Sequence, residues 1–407
     1  MPALGSTAPS YNINTSLIDP VTTQQFMEGA LEQAFQHDSL LRAMKAAGTI
    51  TFDGYGEYDT ANLHVGIPAV NERGAATARE FAAGNQYVNA VIPWSNIEGT
   101  DMIRRLDALL NSGPAAKVNL TKRLLPNLAK GLRVGLTTKL LTQNAGSNAV
   151  AGFAAASSNP PPLGGLPTLF GYGATAQNYN PDTRTTSGAW TTASKEVLPD
   201  ASYYGLSTKP TSLPSTVANP QPECLSPVIT AYNALAATWG TSGNADWATN
   251  CRQVLNHHIT RQTRGDGADE TPDLGIMTQS MHTALANTFQ AYYRVALEKG
   301  TVDPNMRISG MSTTEIPYGP LSLKWSAYLT QQVLYVLNSR KLSLKLFPTK
   351  KLMIDPTLGS VMEGDAASMI SVQTQFDIRE DAHLVAAGIV GRLFAEPRYH
   401  GMSYAAA

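Results

Sequence analysis

The residues best suited to bind a metal crowd the stretch from His257 to His282. His257-His258, His282, Asp266, Asp269, Glu270 and Asp273 are ligand types for zinc or calcium. Their spacing argues against both ions. Gly265–Glu270 lacks the regularly spaced oxygens of a calcium loop. Adjacent histidines also point apart on any regular element. The expected reading is an acidic turn beside surface histidines, with no cofactor.

Nucleophilic catalysis would need Cys224 or Cys251 paired with a histidine. Cys251 lies within a helical pattern and reads as a small core residue. There is no G-x-S-x-G, no phosphate-binding P-loop and no G-x-G-x-x-G, and Gly171-Tyr172-Gly173 is only a fragment of the last. A metal-dependent enzyme built on His257, His258 and Asp266 is the alternative from another functional class. Metal analysis of the pure protein would reveal it.

Two charge groupings point to binding instead. From Arg104 to Lys139 the chain carries Arg104, Arg105, Lys117, Lys122, Arg123, Lys130, Arg133 and Lys139 against one acid, Asp107, although its net charge is −1. Such a face is either a solvated helix surface or one turned toward a polyanion or acidic neighbours. Around residue 76, Glu72, Arg73, Arg79 and Glu80 alternate in sign. They read as solubilising charges or as ion pairs between subunits, each worth about 0–1 kcal/mol when exposed.

The element that must position the basic face is one long amphipathic helix, expected over 114–144. Pro114 opens it, where the missing N–H costs nothing. Asn144 and Gly146 close it. Leu125, Leu128, Leu132, Leu136 and Leu140 line one side, and Lys122, Arg123, Lys130 and Arg133 fall on the other. Pro126 should kink the rod or mark a one-turn break.

The positions of the remaining elements follow from pattern. Residues 1 to about 20 read as an extended arm, and 22–47 as helices divided near Asp38-Ser39. Strands are expected at Thr49–Phe52, His64–Ile67 and Tyr87–Ile92, the last two forming a long hairpin with too thin a core to stand alone. A short helix from Thr100 to Leu110 should lead into the long one. Residues 144–223, with Pro160-Pro161-Pro162, read as a loop-like insertion. Helices are expected at Pro227–Trp239 and Ala245–Asn256. A strand at 271–277 should flow into a helix to Tyr292, capped by Thr278 or Ser280. Further strands are expected at Met306–Met311, Ile316–Tyr318, Gln332–Asn338, Leu342–Phe347, Ala367–Phe376 and Ala382–Phe394.

Bulk properties bound the rest. The 407 residues are 43% hydrophobic and 15% charged, which excludes a disordered chain and favours one that hides surface against partners. A net charge of −1 leaves no global field for nucleic acid, so any such contact is local. Two cysteines exclude a disulfide framework and fit a reducing compartment. Met1–Ser16 has neither a basic start nor an apolar run, and Leu384–Val390 is far too short to span a bilayer. The expected setting is a cytoplasm, without membrane contact.

The order of arm, hairpin, long helix, glycine-rich loop, strand–helix segment and closing strands resembles the major capsid protein of tailed bacteriophages, the Hong Kong ninety-seven type of coat fold. The carrying residues are Asn111-Ser112-Gly113 before the helix and Leu163-Gly164-Gly165-Leu166-Pro167 after it. Tyr179–Thr183, Ser187–Trp190, Thr271-Pro272-Asp273-Leu274 and the terminus at Arg398-Tyr399-His400-Gly401 complete the likeness. It covers nearly the whole chain. The resemblance implies an α+β fold with an N-terminal arm (1–48), an extended loop (49–96), a peripheral domain (97–222, completed by 361–407) and an axial domain (223–360). It implies a structural protein, not an enzyme, that forms pentamers and hexamers of an icosahedral shell around double-stranded DNA. The virion is its place and the host cytoplasm its site of assembly. Lys122, Arg123, Lys130 and Arg133 would face DNA, while Glu72, Arg73, Arg79 and Glu80 would join extended loops between subunits. Scaffolding, portal and decoration proteins are the further implied partners. No lysine lies between Lys45 and Lys117, so the loop lacks the cross-linking lysine of some members and the shell should be non-covalent. An encapsulin-like compartment is the rival of the same fold.

Overall fold

The computed structural model describes residues 39–66, 85–104, 114–145, 150, 163–172, 176–191, 193–210, 223–235, 238–241, 245–263, 270–297, 315–347, 349–354, 361–368, 371–377 and 382–405. For 103–104, 114–126, 129, 290–297 and the segments between 349 and 387 the description covers the backbone alone. In chain order the first elements are α1 (Ser39–Ala47), β1 (Ile50–Thr51), β2 (Tyr58–His64), β3 (Tyr87–Pro93), β4 (Ser95–Arg104) and α2 (Pro114–Thr142). Then come β5 (Gln177–Asn180), β6 (Thr185–Ala189), β7 (Glu196–Val197), β8 (Ser202–Tyr203), β9 (Leu206–Ser207), β10 (Val228–Ala231), α3 (Trp247–Thr263), β11 (Leu274–Met277) and α4 (Gln279–Leu297). The closing strands are β12 (Glu315–Tyr318), β13 (Leu321–Trp325), β14 (Val333–Leu337), β15 (Leu342–Leu346), β16 (Thr349–Ile354), β17 (Val361–Ser368), β18 (Ser371–Asp377), β19 (Ala382–Ala395) and β20 (Gly401–Tyr404).

Helices and sheets in mixed order make an α+β fold with two main sheets. The small sheet runs β1-β15-β19-β18, with β4 along the other edge of β19. The large sheet runs β12-β13-β11-β14-β20-β10-β7-β5-β6. Its centre is apolar because both faces are covered: every residue of β10, β11, β14 and β20 is buried. Alternate residues of β14 serve different cores. Val333, Tyr335 and Leu337 join the cluster that holds Leu128, Leu132, Leu136 and Leu140 of α2. Leu334 and Val336 join Trp247, Val254 and Leu255 of α3 and Met281 and Leu285 of α4.

Helix α2 continues through Pro126 with no one-turn break and ends at Thr142, two residues before the expected limit. Its leucine side packs on β4, where Gly99 has no side chain to hold off Leu128 and Leu132. The C-terminal end is capped by the glycine-rich loop. Gly165 N–H donates to the Gln143 carbonyl at 3.1 Å. The Thr168 hydroxyl accepts from Ala145 N–H at 2.9 Å. A side chain at Gly165 would strike the carbonyls of Lys139, Leu140 and Gln143, so only glycine fits there.

Several expectations change. The segment from Thr100 was expected to be helical, yet β4 is zipped along β19 from Ser95↔Gly391 to Arg104↔Ala382. Ladder pairing and β-branched Ile97 and Thr100 outweigh a helical pattern there. Pro227–Trp239 is likewise not a helix: Val228–Ala231 is a strand parallel to β20. Its Val-Ile-Thr run suits a position buried on both faces. Within 144–223, strands β5, β6 and β7 extend the large sheet, so this segment is not merely loop-like. Strand β13 was not anticipated. The expected strand at Met306–Met311 and the helical pattern before Ser39 lie outside the described residues.

The chain also crosses between its sheets. Leu342–Leu346 lies in the small sheet, while Gly401–Tyr404 fills the large sheet between β10 and β14.

Candidate interaction surfaces

The basic helix face is only partly visible in side-chain detail. Lys130 is exposed and Arg133 and Lys139 are half-buried. Lys122 and Arg123 lie on the helical backbone, with side chains outside the described set. Burial of Leu128, Leu132, Leu136 and Leu140 places Lys130 on the side of α2 turned from the core. Glu72, Arg73, Arg79 and Glu80 fall in 67–84, outside the described residues.

A hairpin forms, but its first strand is Tyr58–His64 and not the expected His64–Ile67, paired antiparallel with β3 from Tyr58↔Pro93 to His64↔Tyr87. Its two faces differ. Leu63, Ala90 and Ile92 are buried in the subunit's own main core. The hairpin, whose own core is too thin to stand alone, is thus supported on this face by the body of the same subunit. The outer face carries Tyr58, Val91 and Tyr87, each more than half exposed at 54%, 52% and 55%. Phe52 and Tyr55 add exposed apolar area near its root. Tyr58 and Tyr87 stand at opposite ends of this face, with the polar Thr60, Asn62 and Asn89 between them, and exposed apolar residues spaced in this way are ordinary.

At the root, Asp59 pairs with Arg392 of β19 and, at 3.3 Å, with Lys345 of β15. Burial pushes the Arg392 guanidinium down to about 10, against the opposing pull of Asp53. A cavity of about 230 Å³ beside this point is lined by Pro93, Ser95, Thr168, Tyr204 and Arg392, among others.

The histidines take structural places. His257 Nε2 meets Glu196 Oε1 at 2.6 Å, and Arg261 Nε meets the same oxygen at 2.9 Å. Burial pushes the Glu196 carboxyl up, yet the His257 hydrogen bond and the Arg261 charge outweigh it and hold the carboxyl below its usual range. Arg261 also reaches Glu223 at 3.6 Å, and the Tyr179 phenol donates to Glu223. This network stitches β5 and β7 to α3. His258 is not at the surface as expected but wholly buried, sharing a hydrogen bond with Thr230 at 2.8 Å. Burial drives it down to about 3. His400, also wholly buried, is driven down to about 4 by burial. His282 is buried too, and its pKa is lowered by desolvation. Cys224 and Cys251 are buried and form no disulfide. Burial raises Cys251, the opposite of what a nucleophile needs.

Among the described residues, no group of three or more His, Cys, Asp or Glu is placed to hold a metal ion. Asp266 and Asp269 lie outside them. No described helix is long and apolar enough to cross a membrane. Sequence reasoning missed the Glu196–Arg261–Glu223 network, since neither glutamate sits in a patterned element.

No protein-family model matches the chain, and no curated protein matches it. Solved structures do. A chain of the cyanophage A-1(L) capsid asymmetric unit aligns over 89% of this chain and 92% of its own length, with 12% identity and a TM-score of 0.53. A chain from the capsid of an empty GTA particle covers 89% and 90%, with 9% identity and a TM-score of 0.48. A chain of the capsid of the Myoviridae phage XM1 covers 89% and 91%, with 13% identity and a TM-score of 0.42. The first of these shows a shared fold over nearly the full length of both chains.

Proposed function

We propose that this chain is the major coat subunit of a tailed double-stranded DNA phage, self-assembling into pentamers and hexamers of an icosahedral head. The carrying observation is the fold shared with a cyanophage capsid chain across 89% of this one. On this reading residues 1–48 are the arm and 49–96 the extended loop. Residues 97–222 with 361–407 form the peripheral domain, with α2 as its spine, and 223–360 the axial domain. The role is structural and needs no cofactor.

The physical account is distributed adhesion. The outer face of β2–β3 leaves Tyr58, Tyr87 and Val91 more than half exposed within the subunit, among polar neighbours. Its burial against the next copy contributes about 25 cal/mol per Å² of apolar area. Each contact is modest, and closed symmetry repeats it around the shell. The tip charges Glu72, Arg73, Arg79 and Glu80 would add ion pairs at the same seam. Lys122, Arg123, Lys130 and Arg133 would give a salt-sensitive, sequence-independent contact with packaged DNA. The absence of lysine between Lys45 and Lys117 supports a shell without isopeptide cross-links from this loop. Scaffolding, portal and decoration proteins complete the proposed partners, with assembly in the host cytoplasm.

Electron microscopy of the expressed protein, alone and with a scaffolding protein, tests the proposal. Closed icosahedral particles are expected. A chain that stays monomeric at high concentration under both conditions overturns it. Particles that package protein cargo and no nucleic acid, judged by absorbance at 260 against 280 nm, would instead mark a compartment shell.

A further inference from the structure

The hairpin is joined to the body through a buried group of opposed charges. Asp59 is the first residue of β2 on the inward face, opposite Ile92 in the ladder. Its carboxylate meets Arg392 and, at 3.3 Å, Lys345. Those two cations stand directly across from each other in the β15–β19 ladder, where like charges repel. The Asp59 and Arg392 side chains are only 13% and 4% exposed, so water screens this repulsion poorly. The remaining acid nearby, Asp53, is 61% exposed and 4.0 Å from Lys345.

The covalent link at the same place is slight. Gly54 N–H is held by the Leu346 carbonyl at 3.3 Å, and Trp94 packs edge-on against Phe347 with centroids 5.5 Å apart. Between these anchors and the first rung, Tyr58↔Pro93, lie only the exposed Tyr55, Gly56 and Glu57 on one side, while on the other Trp94 follows Pro93 directly. Gly56 has φ of +76°, a left-handed conformation that breaks the run of extended backbone. The cavity bordered by Pro93 and Arg392 lies against this root.

We infer that Asp59, Arg392 and Lys345 form an electrostatic latch that sets the angle of the hairpin on the body, with Tyr55–Glu57 and the Pro93–Trp94 junction as its hinge. Closed, one carboxylate neutralises two opposed cations. Swinging the hairpin outward withdraws that carboxylate and leaves Arg392 facing Lys345. Attraction and avoided repulsion therefore favour the same position. The adjoining cavity gives the root room to shift, and the same outward swing lifts Leu63, Ala90 and Ile92 off the main core. The inference concerns the single subunit and does not depend on the shell reading.

Hydrogen exchange by mass spectrometry on the full-length, unassembled chain tests the latch. Asp59→Asn keeps the shape and removes the charge. It should speed exchange in 58–64 and 87–93 by about tenfold, with 333–337 unchanged. Adding Lys345→Met removes one of the opposed cations, so the double variant should exchange more slowly in the hairpin than Asp59→Asn alone. Lost packing by itself would make the double variant worse. Unchanged hairpin exchange in Asp59→Asn overturns the latch. So does a double variant that exchanges as fast as the single one. If Asp59→Asn fails to fold, recovery of folding by Lys345→Met supports the latch and its failure overturns it.

Discussion

The Tyr335 phenol, in the middle of the large sheet, donates a hydrogen bond to the Leu141 carbonyl at the end of α2, at 3.1 Å. Its ring stacks on Phe170, centroids 5.7 Å apart, beside the loop that caps the same helix. One side chain thus joins the two sheets' territories through a carbonyl that has no later helical N–H to accept from. Tyr335→Phe keeps the ring and leaves that buried carbonyl unpaired. We expect a loss of about 1–3 kcal/mol in urea unfolding, with the secondary structure retained. An unchanged midpoint would remove this bond from the joint.

Glycines along α2 and its cap should respond in opposite directions. At Gly165 an added methyl meets three backbone carbonyls, which cannot move aside as a side chain can. Gly165→Ala is expected to abolish soluble protein or lower the melting temperature by many degrees. Gly131 and Gly135 have open space where a side chain would stand, inside a regular helix. Alanine at each should stabilise by roughly 0.5–1 kcal/mol, read by thermal unfolding of the subunit.

Acid should weaken the subunit before its carboxylates protonate. His258, His282 and His400 all have folded pKa values lowered by burial, the first to about 3 and the last to about 4. The unfolded chain therefore binds these protons first, starting near pH 6.5. Their contribution is complete above that pH and is lost as pH falls toward the folded values. Each site should cost up to about 1.4 kcal/mol per pH unit below roughly pH 6. Urea midpoints measured from pH 7.5 to 5 should fall, and His258→Gln should flatten the slope.

Arg261 is the cation shared by Glu196 and Glu223. Arg261→Met removes that cation from two buried carboxylates. A loss of about 3–5 kcal/mol is expected. Exchange should rise first in 177–197. Equal effects throughout the sheet would show that the network does not specifically hold this segment.

Replacing Lys122, Arg123, Lys130 and Arg133 with glutamine tests the helix as a polyanion surface. The slope of log affinity for double-stranded DNA against log salt should fall by roughly 3 to 4 if all are phosphate contacts. An unchanged slope would remove α2 from that role.

Much of the fold was legible because period and burial agreed. Leu128, Leu132, Leu136 and Leu140 recur as a buried stripe, and Leu274–Met277 flows into α4 as its pattern requires. The errors fell where partners distant in the chain decide. Val228–Ala231 precedes alanines that favour helix, yet its conformation is set by Gly401–Tyr404 beside it. Ser95–Arg104 is held extended by Ala382–Gly391. Glu196 and Glu223 carried no sign of burial, since the cation that makes burial tolerable lies on α3, far along the chain. The basic face was visible as composition, but composition does not say what it faces.

Because β20 sits in the interior of the large sheet, β10 and β14 acquire their shared neighbour only after residue 404 has been synthesised. On the ribosome, a nascent chain that has passed Leu337 but not reached Gly401 holds two apolar strands with an empty slot between them. Products terminated within that span would carry the gap permanently, open to chaperones and proteases.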